Sequence, residues 1–383
     1  MVIDSTRAYR PLWVCFRVLA PTFFGARSRA VYVYIVLMHL LVTIMFPLHL
    51  LLGLLLPATP AELFKNLTMT ITCVGCSLKH IIQIWHLPNM MEIEALLVQL
   101  DDCVQNGEEH RYYQNTLQSQ VHRITRCIYI SFVIIYVLYV PGVILALSTE
   151  PRELLYVAWL PFNWRRNGLS YGLAFGYQFL SVLAECMQGL TNDIFTPLTL
   201  CYVGGHIHLF AIRISHLGFH QMPEIPTNQQ LRSCFEDYRL LLRIYQLTRE
   251  TISPVQLIQV VFCGANLCIV IFYVIFFVRD TVSLMYNAML FAVVCLQLFP
   301  SCYFASVVAE EAQRLPYAIF SSNWYEQSHQ HQRNVLIFIQ MTLRLAKQPM
   351  MAGGLIELNL NTFFSTVKMA YSLFAVVARV KIN

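Results

Sequence analysis

The C-terminal segment of this sequence carries polar side chains in a stretch that is otherwise apolar enough to cross a membrane. Five polar or charged residues of the segment 355–380 recur at spacings of four, three, four and seven: Asn361, Ser365, Lys368, Ser372 and Arg379. At about 100° per residue these positions fall on one side of a helix, within about 60° of one another. A Lys that faces lipid costs about 2.5–3.5 kcal/mol, so this polar stripe is expected to face something other than lipid.

Three environments would satisfy the polar stripe. The polar stripe could line an aqueous pore, contact a neighbouring subunit, or form an inward-facing seam in a monomeric helical bundle. The first two imply an assembly with a function, whereas the third is structural only. The spacing alone does not separate them.

The composition is that of a membrane protein that crosses the bilayer several times. Of the 383 residues, 57% are hydrophobic and 12% are charged, whereas soluble domains carry roughly 25% charged residues. The first thirty residues contain five Arg around short apolar pieces, so no cleavable signal peptide is expected. The net charge of +5 is modest and gives no reason to expect nucleic acid as a partner.

The reactive residue types show no pattern typical of catalysis. The 12 cysteines are scattered through apolar runs, where Cys behaves as a small hydrophobe. Cys73 and Cys76 form a C-x-x-C with no second pair, so a metal or redox role is not expected. With no nucleophile–base pair and no phosphate-binding loop in the sequence, we expect neither an enzyme nor a bound cofactor or metal.

Seven segments are long enough to cross a bilayer, since a spanning helix needs about 20 residues. They lie at about 31–56, 62–85, 127–148, 168–212, 255–278, 282–307 and 355–380. The fourth is predicted to be one long bent helix, because a second crossing there would reverse every later loop. Amphipathic segments at about 228–252, 308–320 and 333–345 predict a helical layer below the membrane. The prediction is an all-α membrane protein of one domain, 1–383, with seven transmembrane helices.

The distribution of Lys and Arg predicts the orientation. With the N-terminus in the cytoplasm, the cytoplasmic segments hold more than twice as many Lys and Arg as the outer segments. Seven crossings then place the C-terminus outside the cell. This orientation is opposite to that of G-protein-coupled receptors, and no Asp-Arg-Tyr or Asn-Pro-x-x-Tyr motif closes the third or seventh span.

Two carboxylates interrupt the apolar fourth segment. Intramembrane Glu185 and Asp193 are functional candidates by default. They lie either in an outer vestibule or at the membrane surface, or they form structural pairs with Arg165 or Arg166.

Several motifs resemble those of the insect odorant receptors. They are FPSCYF at 299–304, PYAIFSSNW at 316–324, AGG at 352–354, where the last helix is expected to open, and FFSTVKMAYSLF at 363–374, with EDYRL at 236–240 and LPFN at 160–163 upstream. The motif at 363–374 is the most specific, and the resemblance extends over the whole chain by topology.

This resemblance implies a ligand-gated, cation-permeable channel rather than a G-protein receptor. Four subunits would surround one pore, with odour-binding subunits and a shared odorant co-receptor subunit joined through their cytoplasmic helices. A small volatile ligand would bind among spans two to six in the outer half of the membrane. The location implied is the plasma membrane of olfactory sensory neuron dendrites.

The resemblance also places the gate in the last two turns of the final helix. Matched to this sequence, the constriction falls at Val376 and Val380, with Arg379 between them and Lys368 and Ser372 further along the pore. The two valines lie about 60–100° around the helix from the centre of the polar stripe. Either the polar stripe partly faces the adjacent subunit, or the helix rotates on opening.

Candidate ligand contacts come from aromatic, Met and small residues in spans two to six. They are Met69, Cys73, Tyr136, Tyr139, Val140, Tyr171, Phe175, Phe179, Phe272, Phe276, Tyr286 and Met289. Aromatic and Met side chains give dispersion contacts to an apolar volatile, and a Tyr hydroxyl can bond a carbonyl or an alcohol. Core or lipid contact is the alternative for each of them. Asn66 begins a glycosylation sequon at the outer start of span two.

Two other classes compete with an odorant receptor. A gustatory-type receptor channel would carry a Thr-Tyr signature in its last helix, where this chain has Ala370 and Tyr371. A membrane transporter would be expected to show internal repeats or paired interrupted helices, and only one interrupted segment is evident.

Overall fold

The computed structural model describes residues 3–56, 59–104, 106–148, 153–219 and 227–382, and almost all of them are helical. The α-helices are α1 (Arg10–Leu19), α2 (Arg29–Met38), α3 (Phe46–Gly53), α4 (Pro60–Trp85), α5 (Leu87–Asp102), α6 (Gly107–Tyr112), α7 (Gln118–Ser148), α8 (Gly168–Ser215), α9 (Thr227–Phe277), α10 (Thr281–Phe320), α11 (His329–Ala346) and α12 (Leu360–Ile382). Short 3-10 helices at Ser5–Tyr9 and Pro21–Phe24 flank α1. A π-helix at His39–Met45 joins α2 to α3, and another at Tyr113–Leu117 joins α6 to α7.

Six helical stretches in the described part of the chain have the length and composition to cross a membrane. They are Arg29–Gly53, Pro60–Trp85, Gly107–Ile144, Gly168–Ser215, Gln229–Phe277 and Thr281–Phe320. The seventh predicted crossing falls on α12, where the side chains from residue 373 onward lie outside the described residues.

Two boundaries between predicted helices are absent. The segments predicted at 228–252 and 255–278 form the single helix α9, and those at 282–307 and 308–320 form α10. Pro254 lies inside α9, and both Pro300 and Pro316 lie inside α10. A proline removes one backbone donor without necessarily ending a long helix whose faces are packed on both sides of it. At 1.5 Å per residue these helices are about 60 Å or longer, twice the hydrocarbon core of a bilayer.

The final helix begins five residues later than predicted. A hairpin precedes it, formed by β1 (Met351–Ala352) and β2 (Ile356–Glu357), in which Met351 pairs with Glu357. Gly353 and Gly354 have φ of +62° and +69°, a region that favours glycine. The Ala-Gly-Gly sequence therefore makes a tight turn and does not open the helix.

Helix α8 is the central element of the bundle. In its most apolar 18-residue window 89% of the residues are buried, compared with at most 44% in the other candidate spans. It packs against α4, α7, α9 and α10. Gly205 permits one close approach, because a Cβ there would lie 2.5 Å from Leu117 Cδ1.

A second packed layer lies at the far end of α8 from the 153–167 loop. Ser5 donates from its backbone N–H and its hydroxyl to the Asp101 carboxylate at 2.7 and 2.8 Å. Arg213 of α8 binds Glu109 at 2.7 Å and also contacts Asp237 of α9. In α11, Phe338 is fully buried against the α9 aromatics. The N-terminal segment, α5, α6, α11 and the first part of α9 thus form one layer around the end of α8.

A buried ion pair joins three of the long helices. Lys79 of α4 lies 2.8 Å from the Asp193 carboxylate of α8, and both side chains are less than 10% exposed. The same ammonium donates to the Gln259 side chain of α9. Glu185 lies two turns before Asp193 and accepts a hydrogen bond from Ser77 at 2.7 Å. The pairing predicted with Arg165 or Arg166, and the alternative surface position, are both wrong, because the partners come from α4.

Removing the Lys79 ammonium should destabilise the bundle strongly. We expect Lys79→Met to lower the free energy of unfolding by about 3–5 kcal/mol, because it leaves the Asp193 carboxylate buried and unpaired. A double variant, Lys79→Met with Asp193→Leu, should recover most of the loss. The measurement is the thermal transition of the detergent-solubilised protein.

The matched control is Arg232→Met. Arg232 pairs with Glu236 at 3.6 Å, and both side chains are exposed, so this change should cost well under about 1 kcal/mol. If Lys79→Met melted at the wild-type temperature, the ion pair would have no structural role.

Candidate functional site

An apolar cluster lies beneath the 153–167 loop, between α3, α4, α7 and α8. Its five buried residues are Phe46, Leu50, Cys73, Ala158 and Val182, and five partly buried residues pack against them: Met69, Tyr139, Tyr156, Tyr177 and Cys186. We call these ten residues the loop-side cluster. Phe46 and Leu50 are one turn apart on α3, so both point to the same side. The cluster combines aromatic, Met and Cys side chains, which suits contact with a small apolar molecule.

Hydrogen bonds to the backbone of Tyr156 fix the 153–167 loop over this cluster. The Gln178 side chain of α8 donates to the Tyr156 carbonyl at 2.9 Å and accepts from its N–H at 3.2 Å. The Trp159 N–H donates to the His49 carbonyl at 3.0 Å. Burial, followed by the neighbouring phenols of Tyr286 and Tyr139, raises the pKa of Tyr156 well above its ordinary value. The loop therefore places a neutral phenol inside the cluster.

Five of the predicted ligand contacts lie in or beside the loop-side cluster. Met69, Cys73 and Tyr139 are members of it. Phe179 stacks against Tyr139 with ring centroids 6.3 Å apart, and Tyr286 neighbours the Tyr156 phenol. These five come from α4, α7, α8 and α10.

Two pairs of predicted contacts form separate aromatic groups. The rings of Phe272 and Phe276 of α9 pack in a tilted arrangement with centroids 4.5 Å apart, and Phe272 stacks on Phe64 of α4 at 4.5 Å. Tyr171 and Phe175 lie 5.8 Å apart near the start of α8, where the Tyr171 hydroxyl donates to the Glu153 carbonyl. The first group fills the α4–α9 contact, and the second lies where α8 meets the loop.

The other three predicted contacts face away from the loop-side cluster. Val140 and Met289 are 50% and 40% exposed on the surface of the chain. Tyr136 lines a separate open crevice of about 570 Å³ between α1, α7 and α8. Only Cys186 belongs to both the crevice and the loop-side cluster.

Four residues of these sites were not predicted from the sequence: Phe46, Tyr156, Lys79 and Gln259. A signal was present for Lys79, because a Lys deep inside the second predicted span is as costly as the two carboxylates of the fourth. Phe46 and Tyr156 offered none, since an aromatic residue in a span or a loop is ordinary.

The polar stripe of α12 faces away from the rest of the chain. Asn361, Ser365, Lys368 and Ser372 are all exposed, whereas Thr366 and other residues of the opposite side pack against α9 and α10. An inward-facing seam is therefore wrong for these four positions. The predicted gate residues Val376 and Val380, and Arg379 between them, lie outside the described side chains.

Asn66, the predicted glycosylation acceptor, lies inside α4 and is 7% exposed. Glycosylation requires an accessible sequon, so this burial disfavours the modification. Within the described residues no group of three or more His, Cys, Asp or Glu side chains is arranged to hold a metal ion.

The contact between α3 and the loop depends on the absence of a side chain at Gly53. A Cβ at this position would lie 2.4 Å from the Val157 carbonyl oxygen. We expect Gly53→Ala to push the loop off the loop-side cluster and to cost about 1–3 kcal/mol of stability. The readout is faster proteolysis of the 153–167 loop in the solubilised protein, together with a lower melting temperature.

The matched control is Gly172→Ala in α8, where a Cβ would meet nothing within 4 Å. Ala is a better helix former than Gly by about 1 kcal/mol, so this variant should be at least as stable as the wild type. Equal proteolysis of the loop in both variants would contradict the close approach at Gly53.

Comparison with known proteins gives consistent matches along the chain. The family model described as 7tm odorant receptor matches residues 59–371. Odorant receptor 33c of Drosophila melanogaster is 54% identical over 381 residues, covering 100% of this chain and 99% of that protein. Odorant receptor 33b of the same species is 34% identical, covering 97% of each chain.

A solved structure shares the fold. The insect olfactory receptor OR5 from Machilis hrabei, determined in complex with eugenol, superposes with a TM-score of 0.79. The match covers 98% of this chain and 97% of that one at 16% sequence identity, so it supports the arrangement of the helices rather than any shared ligand.

Proposed function

The chain belongs to the insect odorant receptor family, and on that premise we propose that it is the odour-binding subunit of a heteromeric, ligand-gated, non-selective cation channel. The family and fold are those of membrane-embedded olfactory receptors, not of enzymes. The observation that carries the channel proposal is the exposed polar stripe of α12. A spanning helix that turns Asn, Ser and Lys away from its own chain needs water or a partner on that side.

The proposed topology follows from the same helix. Six candidate spans precede α12. If α12 is the seventh crossing, the two ends of the chain lie on opposite sides of the membrane, with the N-terminus in the cytoplasm and the C-terminus outside. The distribution of Lys and Arg supports this orientation. The layer formed by α5, α6, α11 and the first part of α9 is then cytoplasmic, and the loop-side cluster lies toward the outer face of the plasma membrane.

The exposed face of α11 supports assembly with other subunits. Leu336, Ile337 and Leu343 are 52%, 47% and 44% exposed on one amphipathic helix, beside exposed Arg333 and Arg344. Apolar residues with Arg at the edge are typical of protein interfaces. We propose that this face contacts the odorant co-receptor in a tetramer around the α12 helices.

The gate is proposed at the end of α12. Val376 and Val380 would form an apolar ring that closes the pore by excluding water. The polar stripe, including Lys368 and Ser372, would face the conduction path or the adjacent subunit.

The ligand is proposed to be a small volatile organic molecule bound at the loop-side cluster, in receptors on olfactory sensory neuron dendrites. Five predicted contacts from four helices meet there. The loop from Glu153 onward would shield the bound molecule from water.

Co-expression with the co-receptor tests this function. We expect odour-evoked cation currents that persist when G-protein signalling is blocked, recorded in a cell line against a broad odour panel. Absence of current across the panel, with surface expression of both subunits verified, would count against the proposal.

The charge at Arg379 gives a second test. A ring of Arg beside a cation path repels divalent ions most strongly, so Arg379→Glu should raise divalent permeability relative to monovalent. The measurement is the reversal potential in solutions with Ca²⁺ as the main cation. An unchanged reversal potential would place Arg379 off the conduction path. Arg232→Glu, at an exposed Arg of α9, is the matched control.

A further inference from the structure

The open crevice between α1, α7 and α8 is a second apolar space in the chain, separate from the loop-side cluster. It has a volume of about 570 Å³, and the described residues that line it include no charged side chain. Val133 and Leu180 on its rim are 59% and 64% exposed. A volume of this size accepts a small organic molecule or part of an acyl chain. An empty crevice would forfeit the dispersion contacts of its lining, so an apolar occupant is expected.

The crevice opens toward lipid. Exposed apolar residues recur every three or four positions along α7 beside the crevice and beyond it, and they are Ile130, Val133, Val137, Val140, Ile144 and Leu147. The proposed pore helix α12 packs on α9 and α10, whereas the crevice is formed by α1, α7 and α8. The crevice therefore lies outside the contact between pore helices, and in a chain that spans the bilayer its mouth meets the acyl chains.

The length of the crevice matches one leaflet. Its lining extends from Leu180 to Leu190 on α8 and from Tyr129 to Tyr136 on α7. The α8 stretch is about 15 Å long, half of the roughly 30 Å hydrocarbon core. The 153–167 loop joins the end of α7 to the start of α8, so Tyr129 and Leu190 mark the end away from the loop. On the proposed orientation this is the cytoplasmic half of the membrane.

The end of the crevice away from the loop is basic. Arg126 lies two turns before Val133 on α7, within about 20° of it around the helix, and is exposed without a carboxylate partner among the described residues. Helix α7 contains no Asp or Glu. On α1, Arg17 is exposed two residues after Cys15, which lines the crevice. The carboxylate of the adjoining α8 stretch, Glu185, is 5% exposed and bonded to α4.

We propose that this crevice binds an anionic phospholipid of the cytoplasmic leaflet. One acyl chain fills the crevice, and Arg126 binds the phosphate, with Arg17 as the second cation. The cytoplasmic leaflet carries the anionic lipids, and a basic site beside an apolar groove between helices suits their headgroups. Tyr129 at the same end can donate to a phosphate or ester oxygen. The choice of leaflet rests on the proposed orientation, whereas the class of lipid does not.

Photo-crosslinking tests the proposal on the full chain assembled with the co-receptor. The complex is placed in nanodiscs of phosphatidylcholine that contain a trace of phosphatidylserine or of phosphatidylcholine with a diazirine on one acyl chain. Mass spectrometry then locates the labelled peptides. We expect the phosphatidylserine probe to label residues 129–136 and 180–190 about five-fold more than the phosphatidylcholine probe, the value of one cation at a membrane surface. Unlabelled phosphatidylserine should compete with the probe.

Two variants assign the binding to named groups. Arg126→Gln should lower labelling by phosphatidylserine about five-fold, to the level of phosphatidylcholine. Arg232→Gln, at an exposed Arg of α9, is its matched control. Ala184→Phe fills the crevice from α8 and should remove labelling of both segments by both probes. Its control is Ala292→Phe, at an exposed position of α10.

Three outcomes would overturn the proposal. Equal labelling of the crevice by both probes would show a lipid-facing surface with no site for an anionic headgroup. Labelling confined to other helices would show that a neighbouring subunit covers the crevice. Displacement of the probe by odorants that open the channel would assign the crevice to the odour ligand. The comparison of the two probes on the wild type needs no variant, so it stands if Ala184→Phe does not fold.

These results are independent of the proposed function. A complex that binds phosphatidylserine in the crevice but passes no odour-evoked current would reject the channel function and leave the lipid site intact. Both faces of the nanodisc present the same lipids, so the labelling does not depend on the orientation of the chain.

Discussion

The fold depends on one buried ion pair within the membrane-length helices. Lys79 of α4 meets Asp193 of α8 and also binds Gln259 of α9. Two charges in an apolar interior are stable only when they are paired with good geometry. This requirement fixes the relative depth of three helices, because sliding any one of them by a turn would separate the charges by about 5 Å.

The same register determines which contacts form next to the pair, on the side toward the 153–167 loop. Ser77 and Glu185 meet on the side toward the loop, next to the thiols of the loop-side cluster. Past Gln259 in the same direction, α9 contacts α12, where a Cβ on Gly264 would lie 3.3 Å from the Met369 side chain. One continuous helix therefore contacts both the ion pair and the proposed pore helix.

Some features of the site could be predicted from sequence because their energetic cost is local. The exposure of Asn361, Ser365, Lys368 and Ser372 follows from helical spacing and from the penalty for a polar residue in lipid. That Cys73 and Tyr139 lie close together could be predicted from the depth of each residue in the membrane along its own helix. Long helices that outgrow a bilayer were also evident from the length of their apolar faces.

Other features depend on rotation and on irregular backbone, which the sequence does not specify. In a membrane both the lipid-facing and the pocket-facing sides of a helix are apolar, so Val140 and Met289 could not be distinguished from true cluster residues. The 153–167 loop, which places Tyr156 beside Gln178, has no helical or strand periodicity in its sequence. Its conformation could therefore not be predicted. The partner of Asp193 was sought among the nearby Arg of the loop, whereas it is Lys79, more than a hundred residues away in the sequence.

The most direct test of this account is electrical and needs only the purified proteins. The chain and the co-receptor, reconstituted together in a planar lipid bilayer without any other protein, should pass cation current when a volatile ligand is added. Single-channel openings that depend on the odorant are the predicted result. Odorant binding to the reconstituted complex with no ligand-dependent conductance would contradict the account.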